Sequence, residues 1–311
     1  MGVGKVNSLA AASIAKINSL AKASIGKLNS IANAFVAAFT DDKAVSKSIS
    51  TGSGESISVS STTHFNFTES DAFSIGFWIR VGWNNSLNTN IHFFAMNDGS
   101  STGRNQQIRI FYNESNNRLE FRIGHDNNNR SLQFWALHSN LTQTGLPGSS
   151  TSQYWSSASD ANRGNVNSDN FTHLMITKGT GTTLAASNVA AYWNGTKLPN
   201  PFYASGNNFG TVSMDASSAR RVCLGSNAHN FQKCGNNNET VYNDLTIHNT
   251  QLSDDEVTAL YNSGTPTDAT QLSTSGNLRG YYTFEASDGA DTSGTSGPTF
   301  TVSGDSNIES I

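Results

Sequence analysis

VYNDLTIHNTQLSDDEVTALYNSG, residues 241 to 264, changes its period halfway along. Val241, Asn243, Leu245 and Ile247 alternate with the residues between them, which is the pattern of a half-buried strand. Asn249 to Leu252 read as a turn. Ser253 then stands as a helix N-cap: Glu256, three places on, completes a capping box, and Asp254 and Asp255 set negative charge at the positive end of the helix dipole. Val257, Leu260 and Tyr261 share one helical face, and Gly264 ends the helix ahead of Pro266. A strand feeding one short capped helix stands out in a chain that otherwise offers strands and turns.

Composition says the same of the rest. The 311 residues suffice for one large β domain with an appendage, or for two smaller domains. Only 14% of the residues are charged, while Asn, Ser, Thr and Gly are plentiful, which suits strands joined by many turns and argues against a helical enzyme or a disordered chain. A formal charge of -4 gives no overall balance for binding nucleic acid. No apolar run approaches the roughly 18 residues of a membrane span. Cys223 and Cys234 have no zinc spacing; a disulfide stapling the loop between them and two separate thiols both fit the sequence.

Residues 1–39 differ from everything after them. VNSLAAASIAK, INSLAKASIGK and LNSIANAFVAA are three copies of an 11-residue unit starting at Val6, Ile17 and Leu28. Eleven residues make about three helical turns, so Val6, Leu9, Ile14, Ile17, Leu20, Ile25, Leu28 and Ile31 form one narrow stripe on a helix. The stripe cannot bury itself and needs a partner surface. Lys5, Lys16, Lys22 and Lys27, with no acid before Asp41, make the segment basic. A docking or oligomerisation helix fits the strict repetition and the small residues better than an amphipathic helix on a membrane surface. The Asn-Ser pairs interrupt any signal-peptide core. These repeats resemble N-terminal segments of structural proteins of marine tailed phages.

Residues 40–55, TDDKAVSKSISTGSGE, read as a polar linker. After it, strand patterns follow one another: ISVSSTTHFNF, FSIGFWIRV, IHFFAMND, QIRIFYN, RLEFRIG and SLQFWAL, each bounded by Asn, Gly or Asp. Residues 139–168 lose periodicity and read as a long surface excursion. NFTHLMITKG and NVAAYWNGTKL restore two strands, with Asn194-Gly195 as a type I′ hairpin turn. RRVCLGS, the Val241 strand, NLRGYYTFE and PTFTVSG complete the series.

Four of these segments, in order, resemble laminin-G-like, concanavalin A-like lectin and glucanase domains: FNFTESDAFSIGFWIR near the start, the hairpin ending in YWNG, the strand and helix at residues 241–264, and the closing LRGYYTF. The resemblance runs from about Ile57 to Ser303. It implies a mainly β, two-sheet jelly-roll sandwich over residues 56–303, preceded by the helical repeat of residues 1–39 and followed by a tail, residues 304–311.

The same resemblance covers glycoside hydrolases, whose paired carboxylates flank the scissile bond. Their strand-borne acid cluster, E-x-D-x-x-E, is missing here; Glu114, Glu120 and Asp126 each stand alone. The seven histidines are scattered without an HExxH pair, and no G-x-S-x-G elbow occurs. The expectation is therefore a protein that is not an enzyme. For binding, Trp83, Tyr154 and Trp155 lie in Asn- and Ser-rich loops and are candidates to stack on sugar. Trp78, Trp135 and Trp193 fall in strand patterns and read as core. Asn97 and Asp98 end a strand where the resemblance puts a rim loop, and are candidate Ca2+ ligands; Asp288 and Asp291 sit in a Gly-rich turn. The bland reading of each acid is a turn former.

The expectation is a virion surface protein of fibre or decoration type, with a glycan-binding jelly roll anchored through residues 1–39 to copies of itself or to other virion proteins. Its ligand would be a host or environmental polysaccharide. The alternatives are an assembly protein without a ligand, a glycoside hydrolase, and a secreted or cell-surface location in place of the virion.

Overall fold

The computed structural model describes residues 41–47, 56–68, 70–82, 91–97, 108–113, 118–123, 132–137, 171–181, 188–198, 220–225, 239–285, 289–303 and 307–310. The chain divides into two compact units, Met1–Thr40 and Asp41–Ile311. The helical repeat expected for residues 1–39 lies outside the described residues.

The second unit is built of strands. In chain order they are β1 (Lys43–Lys47), β2 (Ser56–Thr62), β3 (Phe73–Gly82), β4 (Ile91–Asn97), β5 (Ile108–Asn113), β6 (Arg118–Ile123), β7 (Leu132–Leu137), β8 (Thr172–Lys178), β9 (Val189–Trp193), β10 (Thr196–Lys197), β11 (Arg220–Leu224) and β12 (Glu239–His248). Among the described residues one α-helix, α1 (Asp254–Tyr261), precedes β13 (Leu278–Tyr282), β14 (Thr301–Ser303) and β15 (Asn307–Ser310). They form two antiparallel sheets. The first runs β10-β9-β8-β3-β12-β1-β15, with β13 also on β12; the second runs β14-β2-β11-β4-β5-β6-β7. Two strands fall where composition suggested none: β1 lies inside the expected linker, and β15 inside the expected tail. They pair with each other, and β1 pairs with β12, so backbone pairing recruits short polar segments that have no apolar alternation of their own.

The sheets stack face to face. One continuous core joins Ile75, Phe77, Ile79, Leu174, Ile176, Leu245 and Ile247 of the first sheet to Phe94, Ile110, Leu119, Phe121 and Val222 of the second. Phe77 on β3 meets Phe94 on β4 with ring centroids 6.1 Å apart and planes 19° from parallel, so the two layers touch through stacked aromatics. Trp193 belongs to this core, as its strand pattern suggested. Trp78 is buried too, but on the other side of the first sheet, where it stacks on Tyr261. Of Trp135 only its backbone, in β7, is described.

β12 departs from the expected half-buried alternation. Every residue from Val241 to His248 is at most 4% exposed. Its core-facing set is Tyr242, Leu245 and Ile247, because a bulge at Asn243–Asp244 shifts the register against β3 and advances the phase by one. Asp244 takes the left-handed conformation at φ 45° to make the extra step. The opposite face is covered by a second cluster, Met175, Tyr192, Leu252, Val257, Leu260, Leu278 and Tyr281, which packs α1 onto the sheet. Burying Val257 and Leu260 is worth roughly 1.5–3 kcal/mol each.

The helix follows its sequence signals at the start and not at the end. Ser253 accepts from the Glu256 amide and the Glu256 carboxylate accepts from the Ser253 amide, the reciprocal capping box. At the other end Asn262, not Gly264, is the left-handed cap residue, at φ 42°. Asn tolerates that conformation well enough to stop the helix two residues early. The hairpin turn is as read: Asn194 and Gly195 have φ 48° and 71° between β9 and β10.

Candidate functional site

A β-strand sends alternate side chains to opposite faces, so the strands that supply the core of the second sheet also supply a second face. On β5, Ile108 and Ile110 enter the core and Arg109 and Phe111 do not; on β6, Leu119, Phe121 and Ile123 enter and Glu120 and Arg122 do not. β11 gives Val222 and Leu224 to the core and leaves Arg221 and Cys223 on the other side. In β4 a bulge places both Phe93 and Phe94 in the core and puts His92 opposite Phe111. This non-core face therefore gathers His92, Arg109, Phe111, Glu120 and Arg122 from three adjacent strands.

Phe111 is the hub. Its ring lies 5.3 Å from the His92 ring and 26° from parallel to it. The Arg122 guanidinium carbon is 4.8 Å, and that of Arg109 5.3 Å, from the same ring centroid. Such cation–π contacts are worth about 0.5–2 kcal/mol each, more when water is excluded. Arg122 is fixed a second time, because its Nε and Nη2 donate to Glu120 Oε2 at 3.0 and 2.8 Å. Glu120 is fully buried, while the Arg122 side chain keeps 22% of its surface exposed. Burial, with the charges of Arg109 and Arg122 adding to it, pushes the His92 pKa down to about 3, so the imidazole is neutral at neutral pH.

The strands of this sheet carry Arg109, Arg118, Arg122, Arg220 and Arg221 against a single acid, Glu120. The chain as a whole is acidic, at -4. Guanidinium forks that an aromatic ring and a carboxylate hold in place suit oxygen-rich, negatively charged ligands, since little side-chain freedom remains to be lost on binding.

The expected site residues fare differently. Asn97 is the last residue of β4 and stands opposite Arg221 in the register. Asp98, Trp83, Tyr154, Trp155, Asp288 and Cys234 lie outside the described residues. Asp291 is a turn organiser: its carboxylate accepts from the amides of Tyr281 and Ser293 at 2.9 Å and of Gly297 at 2.7 Å, and from the Ser293 hydroxyl at 2.7 Å. Cys223 is buried against Ala95. Among the described residues no three His, Cys, Asp or Glu side chains are gathered to hold a metal ion, and no helix is long and apolar enough to cross a membrane. The Arg–Phe–Glu cluster was missed in the sequence because each member is ordinary alone; its one signal is that Arg-x-Phe and Glu-x-Arg occupy the polar phase of consecutive strands.

No protein-family model and no curated protein matches the chain. Among solved structures it is similar to the binding domain of Paraclostridial Mosquitocidal Protein 1, at 18% identity and a TM-score of 0.43, over 71% of this chain and 43% of that one. It is also similar to the botulinum neurotoxin serotype G binding domain, at 16% identity and a TM-score of 0.41, over 70% and 41%. A third similarity is to the binding domain of botulinum neurotoxin DC in complex with SialylT, at 18% identity and a TM-score of 0.37, over 63% and 36%. The chain thus spans less than half of each of those domains. Likenesses this distant add nothing to the sheets and side chains described above.

Proposed function

We propose that the protein is a non-enzymatic recognition module whose second sheet binds acidic glycans through its non-core face. The observation that carries this reading is the placing of Arg109, Arg122 and Arg221 on the non-core phase of that sheet, two of them fixed over Phe111, within an acidic chain. Arg109, Arg122 and Arg221 are the half-buried groups of the face, and Phe111 and Glu120 hold the first two and the second respectively. Sugar carboxylates or sulfates would meet guanidinium forks already oriented for them.

A two-carboxylate hydrolase is disfavoured on these strands, because Glu120 is their one acid and its Oε2 already takes two hydrogen bonds from Arg122. The proposal needs no Ca2+ at Asn97 and Asp98.

In the same reading, residues 1–39 gather many copies, as on a virion surface, and weak individual contacts become durable attachment through effective concentration. Retention of the intact protein on immobilised alginate and dextran sulfate, weakening with added salt, with none on neutral dextran, is the expected result. Passage through all three columns unretained would refute the proposal.

A further inference from the structure

The free edge of β12 is shared by two strands. β1 pairs with Thr240, Val241 and Tyr242, and β13 pairs with the stretch from Leu245 to His248. Between the two lies the bulge residue Asp244, 4% exposed, where no ladder partner satisfies it. Tyr281 on β13 donates its hydroxyl to Asp244 Oδ1 at 2.6 Å, and the Asp244 amide donates to Asn243 Oδ1 at 2.9 Å. Asp244 Oδ2 is buried with no hydrogen-bond partner. Asp41, the residue that opens the second unit, lies against this seam: Asn243 Nδ2 donates to Asp41 Oδ1, and the Asp41 carboxyl is within hydrogen-bonding reach of that of Asp244.

The charges that act on Asp244 are those of acids. Asp42 flanks Asp41, and Glu285, just beyond β13, also acts on Asp244. Glu285 Oε1 accepts from the amides of Asp42 and Lys43, both at 3.0 Å. Lys43 Nζ donates to the Glu285 backbone carbonyl at 3.0 Å. Trp78 of β3, opposite Asn243, brings no charge. Two carboxyls facing each other without a counter-charge cannot both ionise cheaply, and a proton on Asp244 Oδ2 donated to Asp41 satisfies the one orphaned atom. Burial first, and the Asp41 charge second, raise the Asp244 pKa well above the usual carboxylate range, while Asp41 is raised mainly by burial.

We propose that Asp244 and Asp41 form a proton-operated clasp: while they share one proton they fasten the start of β1 onto β12; when that proton leaves, β1 loosens. The folded state holds this proton more tightly than the unfolded chain does. The clasp's contribution is therefore complete below the unfolded carboxylate value of about 3.9 and is lost as pH rises through the folded value. This inference stands apart from the glycan reading and survives its failure.

Amide hydrogen exchange on the full chain, corrected for the intrinsic pH dependence of exchange, tests the clasp at about pH 5 and about pH 8. The amides of Lys43 to Ser46 should lose protection at the higher pH, by about tenfold for each pH unit between about 5 and the folded value of the shared carboxyl, up to about pH 8. Those of β8 should keep theirs. In Asp244→Asn, whose amide donates to Asp41 at any pH, the β1 amides should be equally protected at both values; Asp41→Asn serves the same purpose if the first variant does not fold. Equal β1 protection at both pH values in the wild type would overturn the proposal. So would a loss at high pH that millimolar CaCl2 reverses, because the seam would then be a cation site.

Discussion

Arg122 and Glu120 stand two residues apart on one strand, and both hydrogen bonds between them, at 2.8 and 3.0 Å, end on the same carboxylate oxygen of a side chain with no exposed surface. Removing one partner of a buried ion pair costs roughly 3–5 kcal/mol. Arg122→Met should therefore lower the unfolding free energy by about that amount in urea denaturation, and Glu120→Gln in the Arg122→Met background should recover most of it. Simple additivity of the two substitutions would mean that the pair is not coupled.

Three buried histidines set an acid limit on stability. Burial pushes His92 and His173 down to about 3 and His248 to about 4, with the charges of Arg109 and Arg122 adding to the effect on His92. An unfolded histidine protonates near 6.5, so below that value the unfolded state binds more protons and stability falls with pH, by up to about 1.4 kcal/mol per pH unit for each histidine, until the folded values are reached. The carboxyls of Asp244, Asp41 and Glu285, all raised by burial first, act in the opposite sense and temper the slope. Denaturation midpoints should drop steadily from about pH 6.5 to about pH 4, and His173→Phe should flatten the slope by about a third. A flat profile in the wild type would show that these imidazoles are not buried neutral.

The hairpin and the helix are locked together at Gly195. A Cβ there would lie 2.8 Å from Tyr261 Cδ1, and the residue has φ 71°. Gly195→Ala should cost about 1–3 kcal/mol by differential scanning calorimetry, from strain and from displacement of the Tyr261 ring off Trp78. Gly276→Ala, where a Cβ meets nothing within 4 Å, is the matched control and should be close to neutral.

Ser253 carries the helix start. Ser253→Ala removes the acceptor for the Glu256 amide and should destabilise the protein by about 1 kcal/mol in chemical denaturation, whereas Ser253→Asp should retain most of the native stability. Equal losses in the two variants would deny the cap its role.

Strands and helix start were legible because their signals are local: alternation in FSIGFWIRV, a two-residue Asn-Gly turn, and an N-cap with its reciprocal glutamate. β1 and β15 were not, since KAVSK and NIES carry no apolar alternation and owe their form to partners far along the chain. The phase of β12 was misread for a similar reason. Nothing in VYNDLTIH announces that Asp244 adopts a left-handed conformation, and one such residue moves Asn243 out of register and Tyr242 into the core. The recognition face was hidden by averaging. A net charge of -4 over the whole chain says nothing about Arg109, Arg122 and Arg221, which lie on three separate strands that only the sheet order brings into one sheet.

Affinity measured against substitutions confined to that face tests the central claim most directly. Arg109→Gln with Arg221→Gln leaves the Glu120–Arg122 pair intact, and Lys197→Gln on the first sheet is the control. In isothermal titration with alginate or dextran sulfate, the double variant is expected to bind at least about tenfold more weakly than the wild type, with the Lys197 variant unchanged. Indistinguishable affinities for the wild type and the double variant would contradict the claim that the second sheet is the surface that recognises the ligand.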